Sequence, residues 1–370
     1  MLRRGAPEEI PMSTLVPIDP ERFKVYAKLV FGALGGAMTS AMIYLGDRMG
    51  LYRSLAEAGP ATSVELAART GLQERWLREW LHQQGAAGVL DYLGEGRFEL
   101  SPEGIALLAE ENHPANGVGF FSQLPQLIGI TERLPESFRT GLGLPYDAMG
   151  PEGARGVERG LAPWFRALLV PLALPRVAGV VAMLEAGIDV ADVGCGAGTA
   201  LLTMAKAFPN SRFHGYDISQ HALVRAEANR KEAGLGNAKF HDALIDPLPE
   251  DGRFGFVTTF DCLHDMTDPA TVIRSIRRAL RDDGIWFVAD IKALPSYEQN
   301  VAKNPMAAMM YGTSVLTCMS SALSEPGGLG LGTLGLHTDL LRKFAEDAGF
   351  ARFESLDLGH PVNAFYVGRP

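Results

Sequence analysis

The chain has little cysteine and little concentrated charge. Its 370 residues hold three cysteines, Cys195, Cys262 and Cys318, far apart and without a CxxC spacing. That argues against a disulfide framework and a local zinc motif, so no metal is assigned. It also favours a reducing, cytoplasmic setting. The formal net charge is -9, a poor match for a large nucleic-acid or anionic-lipid surface. The opening "MLRRGAPEEIPM" has basic residues but no apolar stretch behind them, so no signal peptide is read. Long apolar runs are scarce. Residues 29–46 lack charge and approach membrane-spanning length. Gly32, Gly35, Gly36, Ala37, Thr39 and Ser40 make the run small rather than greasy. It reads as a buried helix at a homodimer interface, where small residues let a second backbone approach, and not as a membrane span. The run 168–184 is broken by Pro171, Pro175 and Arg176 and cannot span.

A chain of this length predicts two domains. Residues 1–20 read as a flexible arm. Residues 21–110 are mainly helical in pattern. Ser63 begins one helix, with Gly71 near its end, and a second carries Trp76, Leu77, Trp80 and Leu81 on one face. "DYLGEGRFELSPEG" then reads as a hairpin, with Gly94 and Gly96 in the turn and Phe98 and Leu100 pointing inward. Helix, turn, helix, hairpin is a winged helix. Residues 60–110 carry four arginines against eight acids. Phosphate binding needs clustered Lys and Arg, so a dimerising role is expected rather than DNA binding. Residues 111–185 form a proline-interrupted connector, in which Phe121, Tyr146 and Trp164 are candidates for a substrate-pocket wall.

Residues 186–370 change rhythm to alternating strands and helices. The fold class is therefore α/β, a seven-stranded Rossmann-like sheet behind a helical winged-helix domain. "VADVGCGAGT" is a buried strand, a glycine turn and a helix start. Gly194, Gly196 and Gly198 permit the tight turn, with Cys195 between them. Asp217, followed by Ile218, ends the next strand, where an acid accepts from both ribose hydroxyls of an adenosine-bearing cofactor. Asp242 and Ala243 end the third strand, within reach of an adenine amino group. The spacing is GxGxG, not the dinucleotide GxGxxG, and no Walker lysine follows. Asp192 precedes the turn, where a carboxylate opposes a diphosphate but suits an ammonium. S-adenosyl-L-methionine, cationic and phosphate-free, fits this chemistry.

The fourth strand ends in "TTFDCLHDMTDP". Phe260 is its last apolar residue, and His264 should face the same crevice. Asp265 or Asp268 could orient that ring, although Asp268 before Pro269 also fits a helix cap. These residues, with "GYD", "FHDA" and the closing "HPVNAFYVGRP", resemble the bacterial winged-helix class I S-adenosylmethionine-dependent methyltransferases often labelled transcriptional regulators. They are more distantly similar to small-molecule O-methyltransferases. The resemblance implies S-adenosyl-L-homocysteine as product, a homodimer, and a "HDWSD"-like motif whose histidine is the general base. Here that motif is His264-Asp265-Met266-Thr267-Asp268, with Met266 in place of the aromatic. A histidine with a pKa near 6.5 would suit the role. The insertion 292–337, with Met310 and Tyr311 on a helical stretch, is expected over the active site. The expected activity is methyl transfer to a small-molecule hydroxyl. The alternative is a catalytically silent, cofactor-sensing regulator.

Overall fold

The computed structural model describes residues 17–370. The first sixteen residues of the expected arm lie outside that range. The opening helix, Pro20–Arg48, begins where Asp19 accepts the amides of Glu21 and Arg22, with proline at its first turn. The expectation that it is buried does not hold within one chain: only Ile43 and Gly46 along it are buried. Phe23, Tyr26, Leu29, Phe31, Leu34 and Met38 all stand exposed. A Cβ added at Gly32, Gly35 or Gly36 would meet nothing within 4 Å. The helix is long and apolar enough to cross a membrane on length and composition alone.

The winged helix follows as the sequence suggests. Helix Ser63–Thr70 opens with a reciprocal capping box between Thr62 and Glu65 and closes on Gly71 at φ 72°. Strands β1 (Asp91–Gly94) and β2 (Arg97–Glu99) form the antiparallel wing. On helix Glu74–Ala86 the core stripe is Leu77, Trp80, Leu81 and Gln84. Trp76 is not part of it. It stands 78% exposed, because a stripe at i, i+3, i+4 and i+7 leaves its position at the edge of the face.

Seven strands make the main sheet: β3 (Asp189–Val193), β4 (Arg212–Asp217), β5 (Ala238–Asp242), β6 (Phe254–Phe260), β7 (Leu280–Ile291), β8 (Arg352–Leu356) and β9 (Asn363–Arg369). Their order is β5-β4-β3-β6-β7-β9-β8. The first five are parallel, while β9 runs antiparallel to both β7 and β8. β6 is buried along its whole length, as a central parallel strand must be. Strand order reverses between β3 and β6, so a crevice opens beyond their carboxyl ends.

The helix Gly150–Trp164 joins the two halves. Arg159 pairs with Asp47 of the opening helix at 2.7 and 3.0 Å. Its neighbour Glu158 takes Arg225, and Asn229 at 2.7 Å, on the far side.

Candidate active site

The glycine loop sits at the tips of β3 and β4. Gly194, Gly196 and Gly198 take φ values of 73°, 54° and 76°, a region open to glycine at little cost. Their missing side chains serve different ends. A Cβ at Gly194 would lie 2.6 Å from Cys262 Sγ, and one at Gly198 would lie 2.4 Å from Phe240. At Gly196 it would meet nothing within 4 Å, so this turn presents bare backbone to open space. Cys195 is buried, and a Cβ added at Gly215 would meet its sulfur at 2.8 Å.

Asp217 clamps the loop. Its carboxylate accepts Gly196 N–H at 2.7 Å and Ser219 N–H at 2.8 Å. Burial raises its pKa, and those amide bonds offset only part of the rise. Asp242 lies level with it on β5, accepting Leu244 N–H at 3.0 Å and Gln220 Nε2 at 2.6 Å. Ala243 donates its N–H to Asp217 O at 2.9 Å. Ile218, Leu244 and Ile245 are exposed beside these acids. Sequence reading missed the last two, although they directly follow "FHDA". Asp192 departs from expectation. It is 1% exposed, within the sheet below the loop, and accepts Thr258 Oγ1 at 2.7 Å. Burial lifts its pKa to about 7.

His264 lies on a short 3-10 turn, Leu263–Asp265, just past β6. Its ring is almost fully buried between two carboxylates. Nδ1 is 2.5 Å from Asp290 Oδ1, and Nε2 is 3.0 Å from Asp265 Oδ1. Asp265 Oδ1 is buried against the ring as an ion-pair partner and makes no other hydrogen bond among the described residues. Burial works against the charged ring, but Asp265 and Asp290 outweigh it and hold the pKa well above the usual value. The expectation of an ordinary histidine pKa is corrected. Asp265 does lie against the ring, but a second carboxylate that sequence reading missed, Asp290 at the end of β7, holds Nδ1; Asp268 caps the helix Pro269–Ala279 through Thr271 N–H at 3.0 Å, the role that Pro269 behind it favours. Asp290 obeys the same strand-end rule that singled out Asp217, yet it is hidden in the buried run "WFVAD".

Asp261 sits between, at φ 50°, bonded to Asn363. Burial, then Asp290, raise its pKa to about 7.

The connector closes the crevice. Gly143 N–H donates to Leu323 O at 2.9 Å, and Leu144 N–H to Ser320 Oγ at 2.8 Å. A few residues on, Asp147 accepts Ser219 Oγ and, at 3.0 Å, Gln220 N–H. Tyr146 lies on the strap between these anchors. Burial, then Asp265 and Asp217, push its phenol well above the ordinary range, which sets it among the acids of both halves of the site.

The other expected pocket residues divide. Phe121 packs against the winged-helix core and Phe260 is buried with Phe165 and Phe287, so the structure gives both to cores. Trp164 stacks on Phe365 at 5.5 Å and meets His360 edge-on. Met310 is buried in a satellite cluster with Ala293, Ala307 and Leu334, against which Tyr311 packs. The part of the insertion that meets the His264 turn is the helix Cys318–Ala322, and Leu329 N–H reaches Thr267 O at 3.0 Å.

Asp147, Asp217, Asp242, Asp261, Asp265 and Asp290 thus gather around one crevice, with Asp192 buried beneath it. Among the described residues none of them pairs with lysine or arginine; their partners are amides, hydroxyls, carboxamides and His264. That donor set repels a diphosphate and fits a sulfonium with an ammonium.

Comparison with known proteins agrees. Residues 184–349 match the family model "Methyltransferase domain" and residues 37–110 the "Rv2258c-like winged HTH domain". Mitomycin biosynthesis 6-O-methyltransferase of Streptomyces lavendulae is 27% identical over 278 residues, 70% of this chain and 75% of that one. Ubiquinone biosynthesis O-methyltransferase of Ralstonia nicotianae is 34% identical over 108 residues, 29% of this chain and 44% of its own length. The solved structure of human N-acetylserotonin methyltransferase in complex with SAM has a TM-score of 0.65, covering 97% of this chain and 99% of its own. Its identity is 16%, so the likeness is one of fold.

Proposed function

We propose that this chain, a methyltransferase domain behind a winged-helix domain, moves a methyl group from S-adenosylmethionine to a hydroxyl oxygen of a small molecule, with His264 as general base. The observation that carries this reading is the placement of His264, held by Asp290 and Asp265, in a crevice of acids that pair with no lysine or arginine among the described residues. When bound, the cofactor supplies an electrophilic methyl on a positively charged sulfur. The chain's residues do the rest. Gly196 presents open backbone, Asp217 accepts from the sugar hydroxyls, and Asp242 with Ile218 and Leu244 flanks the base.

Asp290 orients the ring through Nδ1. The two carboxylates favour the imidazolium, so Nε2 carries the lone pair of the base only in the ring's neutral form, which a raised pKa shifts toward alkaline pH. The pair of His264 Nε2 and Asp265 Oδ1 marks where an acceptor hydroxyl would enter, donating to one member of the pair. Proton transfer to Nε2 makes an imidazolium that both carboxylates stabilise, and such assistance contributes roughly a hundredfold or more. Tyr146 and the strap 143–147 keep water out and hold the acceptor against the cofactor, since alignment itself can lower the barrier by roughly 7–11 kcal/mol at best.

Two further features support the reading. Arg75 and Arg78 on the winged helix are tied to Glu79 and Glu74, which leaves no free cationic stripe there for phosphate. The exposed apolar face and bare glycines of Pro20–Arg48 fit a second copy of the chain, giving a homodimer. The test is a methyl-transfer screen over phenols, acids and amines that measures S-adenosylhomocysteine release. Turnover confined to hydroxyl acceptors supports the reading. Cofactor uptake without turnover on any class, together with a gel shift on DNA, would replace it with a sensor.

A further inference from the structure

One donor in the crevice has no part in methyl transfer. Cys318, buried at the start of its helix, faces the His264 turn from the opposite wall. One ring nitrogen of His264, one carboxylate oxygen of Asp265 and Cys318 Sγ lie within 4.8 Å of one another. Among the described residues the thiol's hydrogen-bond partner is Thr317 Oγ1, at 3.5 Å. Asp265 Oδ1 is buried 3.0 Å from Nε2 and meets no other donor among the described residues. A divalent cation in place of the ring proton would satisfy both atoms at once.

Nitrogen, oxygen and sulfur in one cluster select the cation. Magnesium and calcium take oxygen donors, whereas a thiolate beside an imidazole suits a borderline-soft ion, zinc foremost. The second shell is in place as well. Asp290 holds Nδ1 at 2.5 Å, leaving Nε2 as the free nitrogen, and zinc-ligating histidines are commonly held by such a carboxylate. A tetrahedral zinc sets its ligand atoms roughly 3.3–3.8 Å apart, so rotation of the thiol by about 1 Å closes the site. Three protein ligands leave a fourth position open to the crevice.

We propose that His264, Asp265 and Cys318 form a binding site for a zinc-class divalent cation, which shuts the enzyme off by taking the lone pair of His264 Nε2. The inhibitory half rests on the proposed role of His264 as base; metal uptake does not. Cys318 lies beyond the fifth parallel strand from His264, so no local spacing could show the cluster.

The experiment uses the full chain stripped with a chelator. Zinc sulfate is titrated by calorimetry and cobalt(II) chloride by absorption spectroscopy, without cofactor or acceptor. One equivalent bound, with a sulfur-to-cobalt charge-transfer band, is expected. Cys318→Ser and Cys318→Ala should each abolish the band and weaken zinc by at least about tenfold, and Asp265→Asn should weaken it similarly. Thermal melts of the variants check folding. No uptake by the unaltered chain, or a band that survives in both Cys318 variants, overturns the site. Zinc that binds at Cys318 yet leaves methyl transfer untouched overturns the inhibitory half alone.

Discussion

Nδ1 of His264 lies 2.5 Å from Oδ1 of Asp290, across two neighbouring parallel strands. The same Asp290 oxygen accepts Ile291 N–H at 2.8 Å. It is therefore held before any substrate arrives, and through it the ring is held too. Asp290→Asn keeps the shape but allows Nδ1 to become the acceptor, which turns Nε2 into a donor. We expect turnover to fall by about a hundredfold or more with cofactor affinity little changed. Steady-state rates beside calorimetric titration with S-adenosylhomocysteine check this. A variant that loses cofactor and turnover together would make Asp290 a structural residue.

Asp217 is predicted to act twice, on the ligand and on the loop. Asp217→Ala removes the acceptor for Gly196 N–H as well as the sugar contact. Uptake of S-adenosylhomocysteine should weaken by at least about tenfold, a loss of roughly 1.4 kcal/mol, within the usual range for a charged hydrogen bond. Gly196→Ala should weaken it as well, since the added methyl enters open space at a positive φ. NAD should bind neither form.

The buried carboxyl of Asp192 sets a pH dependence. Its pKa is raised from 3.8 to about 7, so the folded chain favours the protonated form. The sign follows from that direction: the contribution is complete below about pH 4 and is lost as pH rises toward 7. The unliganded protein should therefore lose, from this group, on the order of a few kcal/mol across that window. Asp192→Asn should flatten that part of the profile. Melting temperatures of both forms between pH 4 and 8 test it, and parallel profiles would contradict it.

Asp147 holds the strap shut by accepting Ser219 Oγ and Gln220 N–H. Asp147→Ala should speed cofactor release several-fold and raise the acceptor's KM while leaving the melting temperature within a few degrees. Stopped-flow release of S-adenosylhomocysteine measures the first effect.

The exposed face of Pro20–Arg48 should be covered by its counterpart in a second chain. Light scattering is expected to give a dimer, and Phe31→Asp with Leu34→Asp a monomer. A monomer at micromolar concentration for the unaltered chain would remove the second copy as occupant.

The parts of the site legible in the sequence are those in which one short segment carries the whole signal. Gly194, Gly196 and Gly198 declare a turn because left-handed backbone demands glycine. Asp217 and Asp242 stand out because polar residues at strand ends interrupt apolar runs. His264 was visible for the same reason. Asp290 was not, since its strand stays apolar to within one residue of it and reads as core. Trp76 and Trp80 share a helical face by periodicity, yet only tertiary packing decides how wide that face is. Tyr146 was named only as one aromatic of the connector, while Asp147 and Cys318 meet the site only through long-range contacts. No local pattern records such a meeting. Phe260 packs into the core because a strand's last residue can point to either face of the sheet.

The most direct test of the account is transfer of a labelled methyl group to a series of phenols of falling pKa, by the unaltered chain and by His264→Gln. The account predicts that the variant loses about a hundredfold on phenols neutral at the assay pH and recovers toward full rate on those already ionised. Equal rates for both proteins across the series would contradict it.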